Sequence, residues 1–205
     1  MLASARYVVS REQCNNAGPG TNATPAPRGG NMSNLEQLLD RATITDVVNR
    51  YATGLDRRDW PLLRSIFMDD IDMEYTSVGI KPGRYAADKW VRNSEVLFAG
   101  LGATQHTLTN HAITLDGDAA HAVVYMRAEH FIEDLAPAEN RWTIGGYYTV
   151  DLARTPAGWK IHAMGLYVTW QTGNKQLSNT AITRGRAKLG IGRRTAPRRV
   201  RLGGA

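Results

Sequence analysis

Cysteine is almost missing. Cys14 is the only one among 205 residues, so no disulfide can form within the chain and no thiolate cluster can hold a metal. Long apolar runs are missing too. No stretch approaches the ~18 to 20 apolar residues that a membrane-spanning helix needs. Tyr7-Val8-Val9 is far shorter than the roughly 7 to 15 apolar residues of a secretory leader. The expectation is a cytoplasmic protein, in which the Asn22-Ala23-Thr24 and Asn31-Met32-Ser33 sequons carry no meaning. There is no HExxH and no GxSxG, which removes two common hydrolase chemistries, and no metal site is expected. Gly145-Gly146 lies within a strand pattern with no helix after it. It marks a bulge or a close backbone approach, not a phosphate loop.

Acidic residues are absent from Ser178 to Ala205, where Arg184, Arg186, Lys188, Arg193, Arg194, Arg198, Arg199 and Arg201 give +8. The net charge of +6 is therefore a property of the end of the chain, and the middle is mildly acidic. No aromatic residue interleaves these arginines. Residues 178–205 read as a basic, solvated, disordered tail and not as a nucleic-acid-binding arm. Residues 1–31, rich in Gly, Pro, Asn, Ala and Thr, read as a disordered extension. Met32 precedes a good helix start and is the expected natural first residue. That leaves one domain over 32–177, and the hydrophobic fraction of 42% is enough for a core.

Within that domain, Ser33 and Glu36 have capping-box spacing. Leu35, Leu38, Leu39, Ala42, Val47, Val48, Tyr51 and Leu55 follow at helical intervals, so a helix is predicted to run to about Gly54. Asp59 and Pro61 begin a second, shorter helix. Ile71–Thr76 alternates as a strand, Gly79–Gly83 turns, and Arg84 to about Phe98 is a third helix. Thr104–His130 reads as two long strands about a turn at Asp116-Gly117-Asp118. Arg141–Arg154 and Trp159–Gln171 are two more strands, after which Thr172 onward unravels. Helices segregated from an antiparallel sheet make an α+β domain: a cone-shaped curved antiparallel sheet backed by three N-terminal helices.

The long hairpin carries the chemistry. Period-two alternation puts His106, Leu108, Asn110 and Ala112 on one face of its first strand, and Ala122, Val124, Met126, Ala128 and His130 on one face of its second. One register places both histidines on the same side; a slip of one residue separates them. By parity with His106, His111 faces away. His121, near the turn, faces solvent, and His162 reads as structural. Asp56, taken alone, is an ordinary loop residue or helix cap. Tyr51 on an apolar helix face is more often core.

The order of elements and four stretches resemble the SnoaL-like group of the nuclear transport factor 2-like superfamily, over roughly Leu35 to Asn174. The stretches are Arg50-Tyr51-Ala52 leading to Leu55-Asp56-Arg57-Arg58-Asp59-Trp60; Met73-Glu74-Tyr75; Thr104-Gln105-His106 with Asn110-His111; and Gly158-Trp159-Lys160-Ile161 with Val168-Thr169-Trp170-Gln171. Members include scytalone dehydratase, bile-acid 7α-dehydratase, a hexachlorocyclohexane dehydrochlorinase, polyketide cyclases and ketosteroid isomerase. The resemblance implies a cone-shaped α+β barrel with a deep pocket and no cofactor. Asp56 and His106 look like the Asp–His pair of the dehydratase and dehydrochlorinase branch. Tyr51 matches a tyrosine of the bile-acid enzyme, Tyr75 a pocket tyrosine of scytalone dehydratase, and His130 its second histidine. Leu55 stands where scytalone dehydratase has a tyrosine, and its pocket asparagine falls near Tyr147 or Tyr148.

The implied activity is that of a lyase or isomerase acting on a hydrophobic polyketide, aromatic or steroid-like molecule. Asp56 would orient His106 as general base, with Tyr51 and His130 as further catalytic candidates. Tyr75, Asn110, Tyr147, Trp142 and Trp170 are the candidate substrate contacts. A homodimer is implied by resemblance alone. The competing reading is a non-catalytic small-molecule binder or dimeric scaffold of the same fold.

Overall fold

The computed structural model describes residues 33–192. The proposed extension, the start at Met32 and the arginines from Arg193 onward lie outside the described residues. Helix α1 spans Asn34–Arg57 and opens with the capping box: Ser33 accepts from the Glu36 N–H at 3.2 Å, while the Glu36 carboxylate accepts from the Ser33 N–H at 2.8 Å. It runs one turn beyond Gly54 and ends at Arg58, which adopts the left-handed conformation (φ 56°). Ile44, Val47, Val48, Tyr51 and Leu55 are buried, but Leu35, Leu38 and Leu39 are exposed, so the apolar face packs only from Asp40 onward. Asp40 fixes that point. Its carboxylate accepts two hydrogen bonds from the Arg154 guanidinium (2.8 and 2.5 Å) and one from the Trp159 indole (3.0 Å). A bidentate charge-assisted pair of this kind ties α1 to the sheet with defined geometry.

Helix α2 is Trp60–Ser65, capped by Asp59. Strand β1 is Phe67–Glu74, longer at its start than the alternation of IDMEYT predicts. Gly83–Ala86 forms a short strand, β2, so helix α3 begins only at Ala87 and ends at Ala99. Then come β3 (Thr104–Asp116), β4 (Ala119–Phe131), β5 (Arg141–Thr155) and β6 (Gly158–Gly173). The six strands form one curved, unclosed sheet in the order β2-β1-β6-β5-β4-β3. It is mixed, not purely antiparallel, because β1 runs parallel to β6. The core lies between the concave face and α1–α3.

Two irregularities decide which side chains face that core. Thr109 pairs with Tyr125 but Ala112 pairs with Val123, so Asn110-His111 is a bulge, with Asn110 left-handed at φ 53°. The extra residue reverses the parity beyond it. On β5 and β6, register shifts at Gly145/Gly146, where a Cβ on Gly145 would fall 2.2 Å from the Trp170 ring. This is the bulge with close approach that the paired glycines predict.

The chain does not unravel at Thr172. β6 continues to Gly173, and Leu177–Lys188 forms a fourth helix, α4, with Leu177, Ala181 and Gly185 buried. The stretch read as tail therefore starts as a packed helix. Leu177, Ala181 and Gly185 recur every fourth residue, one helical stripe, and lie against α3. The approach is close enough that a Cβ on Gly185 would fall 1.7 Å from the Val96 carbonyl oxygen, and one on Gly100 1.8 Å from that of Ala181.

Candidate active site

The hairpin register brings the two histidines together. Thr104 pairs with His130 and His106 with Ala128, so both imidazoles lie on the concave face, with ring centroids 5.7 Å apart and planes at 86°. Phe98 of α3 stacks on His106 at 5.9 Å, and Trp142 stacks on His130 at 5.0 Å. The last turn of α1 supplies the carboxylate. Asp56 Oδ1 is 2.7 Å from His106 Nδ1, and Oδ2 accepts the His106 backbone N–H at 2.7 Å. Thr104 Oγ1 donates to Oδ1 at 3.0 Å, and Arg58 donates to Thr104 Oγ1 at 2.7 Å and to the Gly102 carbonyl at 2.9 Å. The left-handed Arg58 thus closes a network locking helix end to strand start.

Burial pushes the Asp56 carboxyl upward. The hydrogen bond and charge of the His106 ring, the His106 N–H and Thr104 together outweigh it and hold the carboxyl below the usual range. Asp56 is therefore ionised, and the tautomer of His106 that it selects carries the proton on Nδ1 and the lone pair on Nε2. His130 is 5% exposed. Burial, then its neighbour His106, pulls it down to about 4. At neutral pH it is uncharged, with Nδ1–H donating to the Trp142 carbonyl at 3.2 Å. Its Nε2 is thus an acceptor, able to take a hydrogen bond from a ligand hydroxyl but without a proton to give as an acid.

Both histidines open on a cavity of about 310 Å³ between sheet and helices, whose walls include Tyr51, Tyr75, Phe98, Trp142 and Tyr148. Ser178, Asn179 and Ile182 of α4 form part of the wall. Tyr51 and Tyr75 share a hydroxyl–hydroxyl hydrogen bond of 2.9 Å. Burial raises Tyr51 to about 12 and Tyr75 well above the ordinary phenol value, so both keep their protons.

Of the candidates read from sequence, Asp56, His106, Tyr51, His130, Tyr75 and Trp142 meet here. Three do not. Asn110 is exposed, at the bulge that reverses its parity. Tyr147 faces the outer side, stacked 5.1 Å from Tyr167, while its neighbour Tyr148 faces the cavity. Trp170 is 48% exposed on the outer face, under the Arg127 guanidinium. The bulge also turns His111 toward α1, where it meets Asn49 at 3.2 Å. Sequence reasoning missed α4 and, between Tyr147 and Tyr148, chose Tyr147. The signal for Tyr148 was the alternation Trp142, Ile144, Tyr148, Val150, Leu152. Among the described residues, no group of three or more His, Cys, Asp or Glu side chains gathers to hold a metal ion, and no helix is long and apolar enough to cross a membrane.

A curved, unclosed sheet backed by helices around a small chamber, with a carboxylate-steadied imidazole in its wall, defines an α+β domain of the nuclear transport factor 2-like fold. The chain belongs to the SnoaL-like domain family, whose description matches residues 36–165. The uncharacterized protein Rv2910c of Mycobacterium tuberculosis is 30% identical over 132 residues, 63% of this chain and 86% of the relative. The Kfla4162 protein of Kribbella flavida has a similar structure (TM-score 0.67, 28% identity, 70% of this chain and 99% of that one). So does a hexachlorocyclohexane dehydrochlorinase, LinA type 2 (TM-score 0.57, 26% identity, 69% and 93%).

Proposed function

We propose that this protein is a lyase or isomerase that removes a proton from an acidic C–H of a compact hydrophobic molecule, using its own side chains as acid–base groups. The observation that carries this is the 2.7 Å contact between Asp56 Oδ1 and His106 Nδ1 at the wall of an apolar cavity. His106 Nε2 takes the proton. Asp56 holds the tautomer and stabilises the imidazolium, work that does not require the carboxylate to be protonated. His130 Nε2 accepts a hydrogen bond from a substrate hydroxyl, and the tyrosine hydroxyls face the polar end of the ligand. A positioned base typically contributes ~10² to 10⁴ in rate. Loss of HCl is the chemistry named for LinA type 2, and a base at the position of His106 Nε2 would serve loss of HCl or of water alike.

The chamber narrows the substrate class. Its volume of about 310 Å³ equals that of roughly ten waters, at the lower end of ligand pockets. One or two fused rings fill it, so a β-hydroxy ketone of that size is a better fit than a four-ring steroid. The test is incubation with one- and two-ring β-hydroxy ketones, read by mass spectrometry. Loss of the mass of water in the wild type, abolished in His106→Ala, is expected. Saturable binding with no mass change in any compound leaves the non-catalytic binder. The outer face, where Tyr125, Tyr167 and Trp170 are exposed, is where pairing of two copies would fall, which sedimentation of wild type against Tyr167→Lys checks.

A further inference from the structure

We infer that the Tyr148 hydroxyl is the donor that holds the substrate's carbonyl oxygen, a catalytic contact made from the sheet wall and not by His130 or the Tyr51–Tyr75 pair. This rests on the elimination proposed above and deepens it by assigning the electrophilic group.

The argument starts from pairing. Tyr148 is 2% exposed, yet among the described residues its hydroxyl meets no hydrogen-bond partner. Buried hydroxyls are normally satisfied, and one left open to a cavity is satisfied by what fills the cavity. Tyr51 and Tyr75 bond each other at 2.9 Å, which commits one of their two protons and leaves a single O–H on the pair. The Trp90 indole N–H also lacks a partner, but its ring packs edge-on against Tyr75 and Tyr85 at 5.0 and 5.6 Å, and the nitrogen is closed off from solvent-sized space. Tyr148 is thus the phenol on this chamber whose hydroxyl is engaged by no other side chain, and it lies on the wall that His106 and His130 share.

Its ring is held in place. It meets Tyr51 edge-on at 5.6 Å and lies over Tyr75 at 6.4 Å, with planes 28° apart. A donor fixed this way is preorganised for charge that develops on an oxygen. The complement is coherent, because the two imidazoles present Nε2 lone pairs and the chamber needs a donor for the acceptor end of a ligand. Burial, then Tyr51 and Asp56, holds the Tyr148 hydroxyl well above the ordinary phenol value, so it keeps its proton.

The electron balance is complete with these groups. His106 Nε2 takes the proton from the carbon beside the carbonyl. The C–H electrons form the C=C of an enolate, whose oxygen is held by the Tyr148 O–H. The electrons return to re-form the carbonyl and a C=C that expels the β-hydroxyl. The hydroxyl leaves as water with the proton from the His106 imidazolium. Tyr148 ends as it began.

The test uses 1-tetralone, a two-ring ketone, against tetralin, its oxygen-free counterpart. Binding is followed by tryptophan fluorescence, and the ketone by its infrared carbonyl band. In wild type the bound band shifts to lower frequency. In Tyr148→Phe the shift is lost, and tetralone affinity falls roughly tenfold, the scale of one hydrogen bond, with tetralin affinity unchanged. Replacing Tyr148 by 3-fluorotyrosine, a stronger donor of nearly the same shape, moves the band further down and guards against a fold defect in the first variant. Asp56→Asn leaves the band shifted. A band unchanged in Tyr148→Phe but restored to its free position in Tyr51→Phe overturns the assignment, as does equal wild-type affinity for tetralone and tetralin. Absence of water loss from every β-hydroxy ketone, with the band still shifted through Tyr148, sinks the elimination and leaves the donor standing.

Discussion

Acidification should unload the chamber wall at His130 before it reaches the carboxylates. The folded protein holds this ring down to about 4, against an ordinary 6.5. The cause is first its burial and then its neighbour His106, partly offset by the Trp142 carbonyl, Asp56 and Glu129. Below pH 6.5 the unfolded chain takes up a proton that the folded chain refuses, so stability is full above the ordinary value and falls as pH drops toward about 4. The slope is about 1.4 kcal/mol per pH unit, and the whole window is worth about 3 kcal/mol. Against a typical 5 to 15 kcal/mol, that is a large share. Asp40 and Asp56 are held below their ordinary 3.8, so their contributions persist through this window and fade only at lower pH. The assay is equilibrium urea denaturation in pH steps, wild type beside His130→Asn. Asparagine keeps an N–H for the Trp142 carbonyl and does not titrate. His111, lowered by burial, is present in both proteins and cancels. The variant should be less stable at neutrality, and the gap should close by about 3 kcal/mol as pH falls to about 4. Parallel curves, or an NMR midpoint for His130 near its ordinary value, would refute the reasoning.

Further expectations follow from the same contacts. Asp56→Asn keeps a group of the same shape beside His106 but can favour the wrong tautomer, so turnover of any substrate found should fall by ~10² to 10⁴; it also turns one acceptor of the His106 and Thr104 bonds into a donor, so the melting temperature should fall as well. Gly100→Ala drives a methyl into the Ala181 carbonyl and should cost about 1 to 3 kcal/mol; proteolysis within Leu177–Lys188 should accelerate. Asn110→Val places a β-branched residue at φ 53° and should destabilise by about 1 to 2 kcal/mol in thermal melts, whereas Asn110→Gly should not.

Most of this fold follows from period and punctuation. The capping box at Ser33, the turn at Gly117 and the alternation of β3 and β4 place the elements; alternation left open whether His106 and His130 share a face, and the register that pairs Thr104 with His130 decides it. The resemblance adds Asp56, whose partner is 50 residues away and which no local pattern singles out. The misses have different physical origins, the first being that alternation holds only while pairing is regular. The bulge at Asn110 exchanges the faces of Asn110 and His111; its hint was an Asn, a residue that tolerates the left-handed region. Tyr147 and Tyr148 differ by one position, and counting from Trp142 and Ile144 would have chosen Tyr148. Helix α4 was hidden by its charge, because Leu177, Ala181 and Gly185 make a narrow stripe among basic residues.

That helix has a consequence for handling the protein. Ser178, Asn179 and Ile182 enclose the chamber, yet they follow the entire sheet in the chain. A shortened version ending at Gly173 would retain every β-strand and still hold its ligand space open on one flank. Such a version would pass a circular-dichroism check and fail to retain a guest, so expression designs should keep the chain at least through Lys188.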